Sequence, residues 1–260
     1  MIVLMVVLWC ARRTADAQRH KRLTLAITLA AFAIVLTGKM ILNCRLHQYG
    51  FVLAMPAFIM LVVALLYWLP NWLTSIGRSG GLFRGAALGV LLAASLSYLS
   101  RTNHYISKKH ITVGTGSDAF LADGRGPPVN FVLGEMTSLL GPDQTIGVLP
   151  EGVMINYLVR RPSGWRHTNF MPTEVALFGE DAMVADMKSH PPDYIVLVHK
   201  ETSEFGFRFF GKDYGTRMMA WIDQNYSELG LAGDRPFVDP YRFGMLLMKR
   251  KPQSAGPREP

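Results

Sequence analysis

Long apolar runs dominate the first hundred positions, and shorter apolar segments punctuated by turn residues fill the rest. Four runs stand out. Met1–Ala11 is apolar throughout but has only 11 residues. Leu23–Thr37 continues through Gly38, Met40, Ile41 and Leu42, with Lys39 near its end. Phe51–Pro70 is an uninterrupted run of 20 residues, and Leu82–Leu99 is the fourth, with Arg84 close to its start. A hydrocarbon core of ~30 Å takes about 20 helical residues, so the last three predict transmembrane helices and the first a partial span.

Beyond Arg101 the pattern changes to that of a folded domain. Ile111–Gly114 reads as a short strand, Pro127–Leu140 as a helix with Val129, Leu133, Met136 and Leu140 at helical spacing, and Thr145–Leu149 as a strand. Val153–Val159 and Glu180–Ser189 read as helices, Tyr194–His199 as a strongly apolar strand, Tyr214–Tyr226 as a helix and Phe243–Met248 as a last strand. Alternating strands and helices predict an α/β sandwich with a largely parallel sheet over residues 101–250. The proline-containing residues 251–260 predict a disordered tail.

Composition agrees with this division. Half of the residues are hydrophobic, 18% are charged and the mean hydropathy is +0.19. A disordered chain would be less hydrophobic and a soluble enzyme more charged. The net charge of +8 does not mark a nucleic-acid binder, because its distribution is wrong for one. Residues 1–100 hold nine Lys or Arg and a single acid, Asp16, whereas residues 101–260 hold 18 bases and 18 acids. Two cysteines, Cys10 and Cys44, exclude a disulfide scaffold.

The basic linker 12–22 is expected to be cytoplasmic. The second span then runs outward, the third returns, and the fourth delivers the α/β domain to the extracytoplasmic side of the cell (inner) membrane. Trp68, Trp72, Tyr49 and Tyr98 fall near the expected interfaces. The first run carries its charges after the apolar stretch and has no small-residue cleavage site, which suits a signal-anchor or the remnant of a longer span. On that ground the chain is expected to be a fragment.

Candidate chemistry is sparse. Gly114-Thr-Gly-Ser-Asp118 follows a strand but runs into the turn-rich Asp123–Pro128, so a turn is expected rather than a phosphate-binding loop. Glu151 lies just past a strand's carboxyl end, where it either binds a sugar hydroxyl or caps the next helix. The seven histidines show no metal-ligand spacing and no hydrolase elbow is present. Phe205–Tyr214 packs five aromatics among two glycines and two bases, either a stacking or membrane-facing surface or a buried loop. In the outer loop, Lys39, Arg45 and His47 suit a lipid phosphate or serve as interfacial anchors, and Tyr49 follows them.

The order of apolar spans, Tyr49-Gly-Phe-Val-Leu-Ala-Met-Pro56, Val148-Leu-Pro-Glu-Gly152, Asn156-Tyr157 and Pro191-Pro-Asp-Tyr-Ile-Val-Leu-Val198 resembles the C-terminal part of a polytopic GT-C glycosyltransferase. The nearest group is the protein O-mannosyltransferase, family 39 or dolichyl-phosphate-mannose-like kind. The resemblance implies inverting transfer from a polyprenyl-phosphate sugar to a protein or glycan acceptor at the outer membrane face. It also implies a divalent metal in the full-length enzymes, although this chain shows no cofactor or metal site of its own. Lys39, Arg45 and His47 are then expected at the carrier phosphate, and Glu151 and Tyr49 at the acceptor or sugar. The family's catalytic carboxylate has no counterpart here, because Asp16 is the one acid of the membrane half. A membrane-anchored binding or scaffolding module without chemistry is the alternative.

Overall fold

The structure, a computed structural model, describes residues 17–39 and 51–252. The run Met1–Ala11 and the expected tail from residue 253 onward lie outside the described residues. The chain divides into two compact units, residues 1–102 and 103–260.

The first unit contains α1 (Ala17–Gly38), α2 (Phe51–Val63), a π-helical segment (Ala64–Trp68), α3 (Leu69–Ser75) and most of α4 (Gly80–Ser107). Three helical stretches are long and apolar enough to cross a membrane: His20–Gly38, Val52–Ser75 and Gly80–Ser107. They mark the chain as membrane-associated. At 1.5 Å per residue even the 19-residue stretch reaches about 29 Å, matching a hydrocarbon core.

The middle span runs to Ser75, past the expected stop at Pro70. Proline in a helix removes one backbone donor and crowds the carbonyl four residues back. Here the helix widens into a π turn over Ala64–Trp68 just ahead of Pro70, and the wider turn accommodates the proline without ending the helix. α1 and α2 pack through Ala30, Ala33 and Met60, with Ala57 and Trp68 alongside. Small residues allow this close approach, and dispersion supplies the attraction where lipid gives no hydrophobic driving force. Gly80 starts α4 directly against the Pro70 carbonyl and Thr74, where a Cβ would not fit.

The second unit holds β1 (Ile111–Val113), β2 (Phe120–Ala122), α5 (Gly126–Leu139), β3 (Ile146–Leu149), α6 (Val153–Val159), α7 (Pro172–Phe178), α8 (Glu180–Ser189), β4 (Tyr194–Val198), α9 (Thr216–Asn225), β5 (Tyr226–Gly233) and β6 (Gly244–Arg250). β1 and β2 form an antiparallel hairpin, and the main sheet has the order β3-β4-β6-β5. Only β3 and β4 pair in parallel, while β4–β6 and β5–β6 are antiparallel. The expectation of a largely parallel sheet is therefore corrected. Its source is β5, which Glu228, Gly230 and Gly233 disguise, and which returns through a turn to β6 rather than through a helix.

β4 and the Met245–Met248 stretch of β6 are apolar at every position because both faces are covered there. Tyr194 and Val196 of β4 and Met245 and Leu247 of β6 face a layer built by α5, α6 and the hairpin. Ile195, Leu197, Leu246 and Met248 face α8 and α9 and the segment around Trp165 and Phe170. The alternation of one strand thus supplies two cores, giving a three-layer α/β sandwich.

Candidate functional site at the carboxyl edge of the sheet

The parallel pair β3–β4 ends in two loops that leave the same edge of the sheet, the usual place for a ligand in an α/β fold. The first loop is Pro150-Glu151-Gly152. Gly152 is required by close packing, since a Cβ there would sit 2.6 Å from Val148 Cγ1 and 3.3 Å from Val198 Cγ2. The second loop is His199–Thr202. Its Lys200 Nζ stands 2.8 Å from Glu151 Oε2, so the two loops meet through an ion pair. Both side chains are partly exposed, so the pair contributes at most about 1 kcal/mol to stability. Its importance lies in placing an acceptor and a donor together at an open edge.

Glu151 is not a helix cap: the N-cap of α6 is Gly152, which has no side-chain cap bond. Of the two readings for Glu151, the capping one is set aside by this geometry.

The rim is built by two further segments. Phe170 N–H donates to Pro150 O at 2.8 Å, holding the start of α7 over the edge. There Glu174 accepts from Asn169 Nδ2 at 3.2 Å and from the Thr173 hydroxyl at 2.7 Å. Opposite, the fully buried Thr202 donates through its hydroxyl to Phe207 O at 2.8 Å and through its amide to Arg208 O. Asp213 accepts from the Arg208 and Phe209 amides, each at 2.9 Å, and closes the aromatic loop.

That loop divides between its two readings. Phe209, Phe210 and Tyr214 are buried in the core, whereas Phe207 is exposed and packs at a tilt of 52°, with its ring centroid 6.1 Å from that of Tyr214. Burial and the nearby charges of Glu151 and Glu174 push the Tyr214 hydroxyl up to about 12, so it stays protonated. The neighbouring Thr202 hydroxyl opposes that rise, while Tyr214 OH makes no hydrogen bond of normal geometry.

His199 is 8% exposed and lies between Phe209 and Phe237, with ring centroids 5.7 and 6.2 Å away. Its Nδ1 accepts from the Phe237 amide at 3.0 Å, which puts the proton of the neutral ring on Nε2. Burial lowers its pKa, against smaller opposing effects of the Pro240 backbone, Asp239 and Glu201. His199 Nε2 is also a buried nitrogen without a partner. The ring is a neutral donor at pH 7, not a proton acceptor. It also holds Phe237 at φ 62, a left-handed conformation uncommon for a residue with a Cβ.

The other sequence candidates are distributed elsewhere. Lys39 follows α1 and is exposed. Arg45, His47 and Tyr49 lie outside the described residues. Gly114–Asp118 is a turn, as expected, with Gly114 at φ +80, and it leads into β2. Its Asp118 accepts from Tyr157 OH at 2.8 Å and pairs with Arg160, whose guanidinium stacks 4.3 Å from the Tyr157 ring. Among the described residues no group of three or more His, Cys, Asp or Glu side chains could hold a metal ion. Lys200, Thr202 and Glu174 escaped the sequence reading, which reached Tyr214 only as part of the Phe205–Tyr214 aromatic stretch. The placement that singled out Glu151, just past a strand, applies equally to Lys200.

No protein-family model, curated protein or solved structure matches the chain.

Proposed function

We propose that this chain is the C-terminal portion of an integral-membrane glycosyltransferase, which transfers a sugar from a polyprenyl-phosphate carrier at the outer membrane face. The observation that carries the reading is a polar edge, Glu151 paired with Lys200, with the exposed Phe207 in the loop tied to Thr202, on a domain joined by three residues to an apolar helix of spanning length. A carboxylate, an ammonium and an aromatic ring are the groups that hold sugar hydroxyls and stack on sugar faces. In this reading the α/β domain is extracytoplasmic and positions a protein or glycan acceptor through Glu151, and Tyr49 serves the acceptor or sugar as well. Lys39, Arg45 and His47 pair with the carrier phosphate. The described membrane helices contain no Asp or Glu and so supply no carboxylate base.

The test is sugar transfer from a radiolabelled polyprenyl-phosphate sugar in native membranes. Loss of transfer on removal of the chain supports the reading. Transfer at the full rate without it, together with glycan binding by the purified chain, would replace it with the membrane-anchored binding module.

A further inference from the structure

We propose that the β1–β2 hairpin is a membrane-seating element, which rests its apolar groove on the lipid interface of the bilayer that α4 crosses. The last two turns of α4 change character after Leu99. Arg101, His104 and, just past the helix, Lys108 gather beside the exposed Tyr105, over whose ring Lys108 Nζ stands at 5.7 Å, and the exposed Ile106 follows. Basic residues beside aromatic and aliphatic ones are what the headgroup level of a membrane accepts. Only Lys108, Lys109 and His110 then separate α4 from β1, a tether of at most ~10–14 Å.

The hairpin that follows is itself exposed and apolar. Phe120 and Leu121 of β2 and Met154 of α6 line a groove of about 290 Å³, together with Lys109 and the Asp123–Arg125 ion pair, charged groups that suit the headgroup level. Against a bilayer the apolar side chains reach the acyl boundary while Lys108 and Lys109 meet lipid phosphates. The hairpin is also firmly attached. Asn130 Nδ2 donates to Thr112 O at 2.8 Å, and Gly126 lets α5 approach so closely that a Cβ would lie 2.5 Å from Ile111 Cγ2. Seating the hairpin therefore orients the whole α/β domain.

Quenching of a site-specific fluorophore in the full chain tests this. Cys10 and Cys44 are replaced by Ser, and bimane is attached at Leu121→Cys or, as a reference, at Lys188→Cys. Lys188 is exposed at the end of α8, on the opposite face and opposite edge of the sheet. In bilayers of phosphatidylcholine and phosphatidylglycerol containing a nitroxide-labelled phosphatidylcholine, quenching at position 121 is expected to exceed that at 188 at least about twofold. A Phe120→Cys label should repeat the result. Equal quenching at positions 121 and 188, whether weak or strong, would overturn the proposal. Replacing Lys108 and Lys109 by Gln should reduce quenching at 121 when phosphatidylglycerol is present and leave it unchanged without. No change in either bilayer would remove the lysines from the assignment. The outcome does not depend on sugar transfer, so this proposal and the glycosyltransferase reading fail separately.

Discussion

His199 shows how one buried side chain makes the domain sensitive to acid. Its burial favours the neutral ring, so the folded pKa lies below the ordinary value of 6.5. Below about pH 6.5 the unfolded chain binds a proton that the folded chain resists, and stability falls as pH drops toward the folded pKa. Denaturation of the full chain in detergent, followed by near-UV circular dichroism, should show a lower midpoint at about pH 5.5 than at about pH 7.5. His199→Asn retains an acceptor for the Phe237 amide and should flatten that dependence. An unchanged pH profile in the variant would contradict the burial argument. Gly147 supplies a second test. It lies under the Trp165 indole, where any Cβ would overlap the ring. Gly147→Ala should cost about 1–3 kcal/mol, read as a lower Tm. Tyr214→Phe, by contrast, removes a buried hydroxyl that makes no hydrogen bond of normal geometry and should leave Tm unchanged or higher.

Among the elements, those with strong periodicity were legible from the residues alone. Glu180–Ser189 and Val153–Val159 have the bounds expected of them, and β3, β4 and β6 are displaced by a residue or two at their ends. β5 was not legible, because an edge strand with a bulge between Glu228 and Gly230 needs neither β-branched residues nor strict alternation. β2 and α7 are too short to show a period, and only their pairing and packing create them. The hairpin depends on one such packing contact. Gly126→Ala should push β1 away from α5 and speed amide exchange across residues 111–122, while exchange in β4 and β6 stays slow. Retained protection of the hairpin would show that Ile111 can yield.

For the molecule as a whole, the proposed activity places its weight on Glu151. Glu151→Gln removes the charge but keeps the size, so acceptor KM should rise about tenfold, while carrier binding and Tm stay near wild type. A carrier-binding defect with normal acceptor KM would move Glu151 to the other substrate. Side of the membrane is read independently. A Cys at the exposed Tyr241, in a chain lacking Cys10 and Cys44, should react with an impermeant maleimide in intact cells if the domain is extracytoplasmic.

The sequence by itself determined the division into apolar spans and a charge-balanced domain, because bilayer thickness and hydrophobic periodicity act over local stretches of chain. It also located Glu151, since the end of an apolar strand is a local feature. Tertiary structure alone decided the sense of strand pairing, the split of β4 and β6 between two cores, and the meeting of Glu151 with Lys200. Those depend on which strands become neighbours, and residues about fifty positions apart carry no mark of that until the sheet has formed.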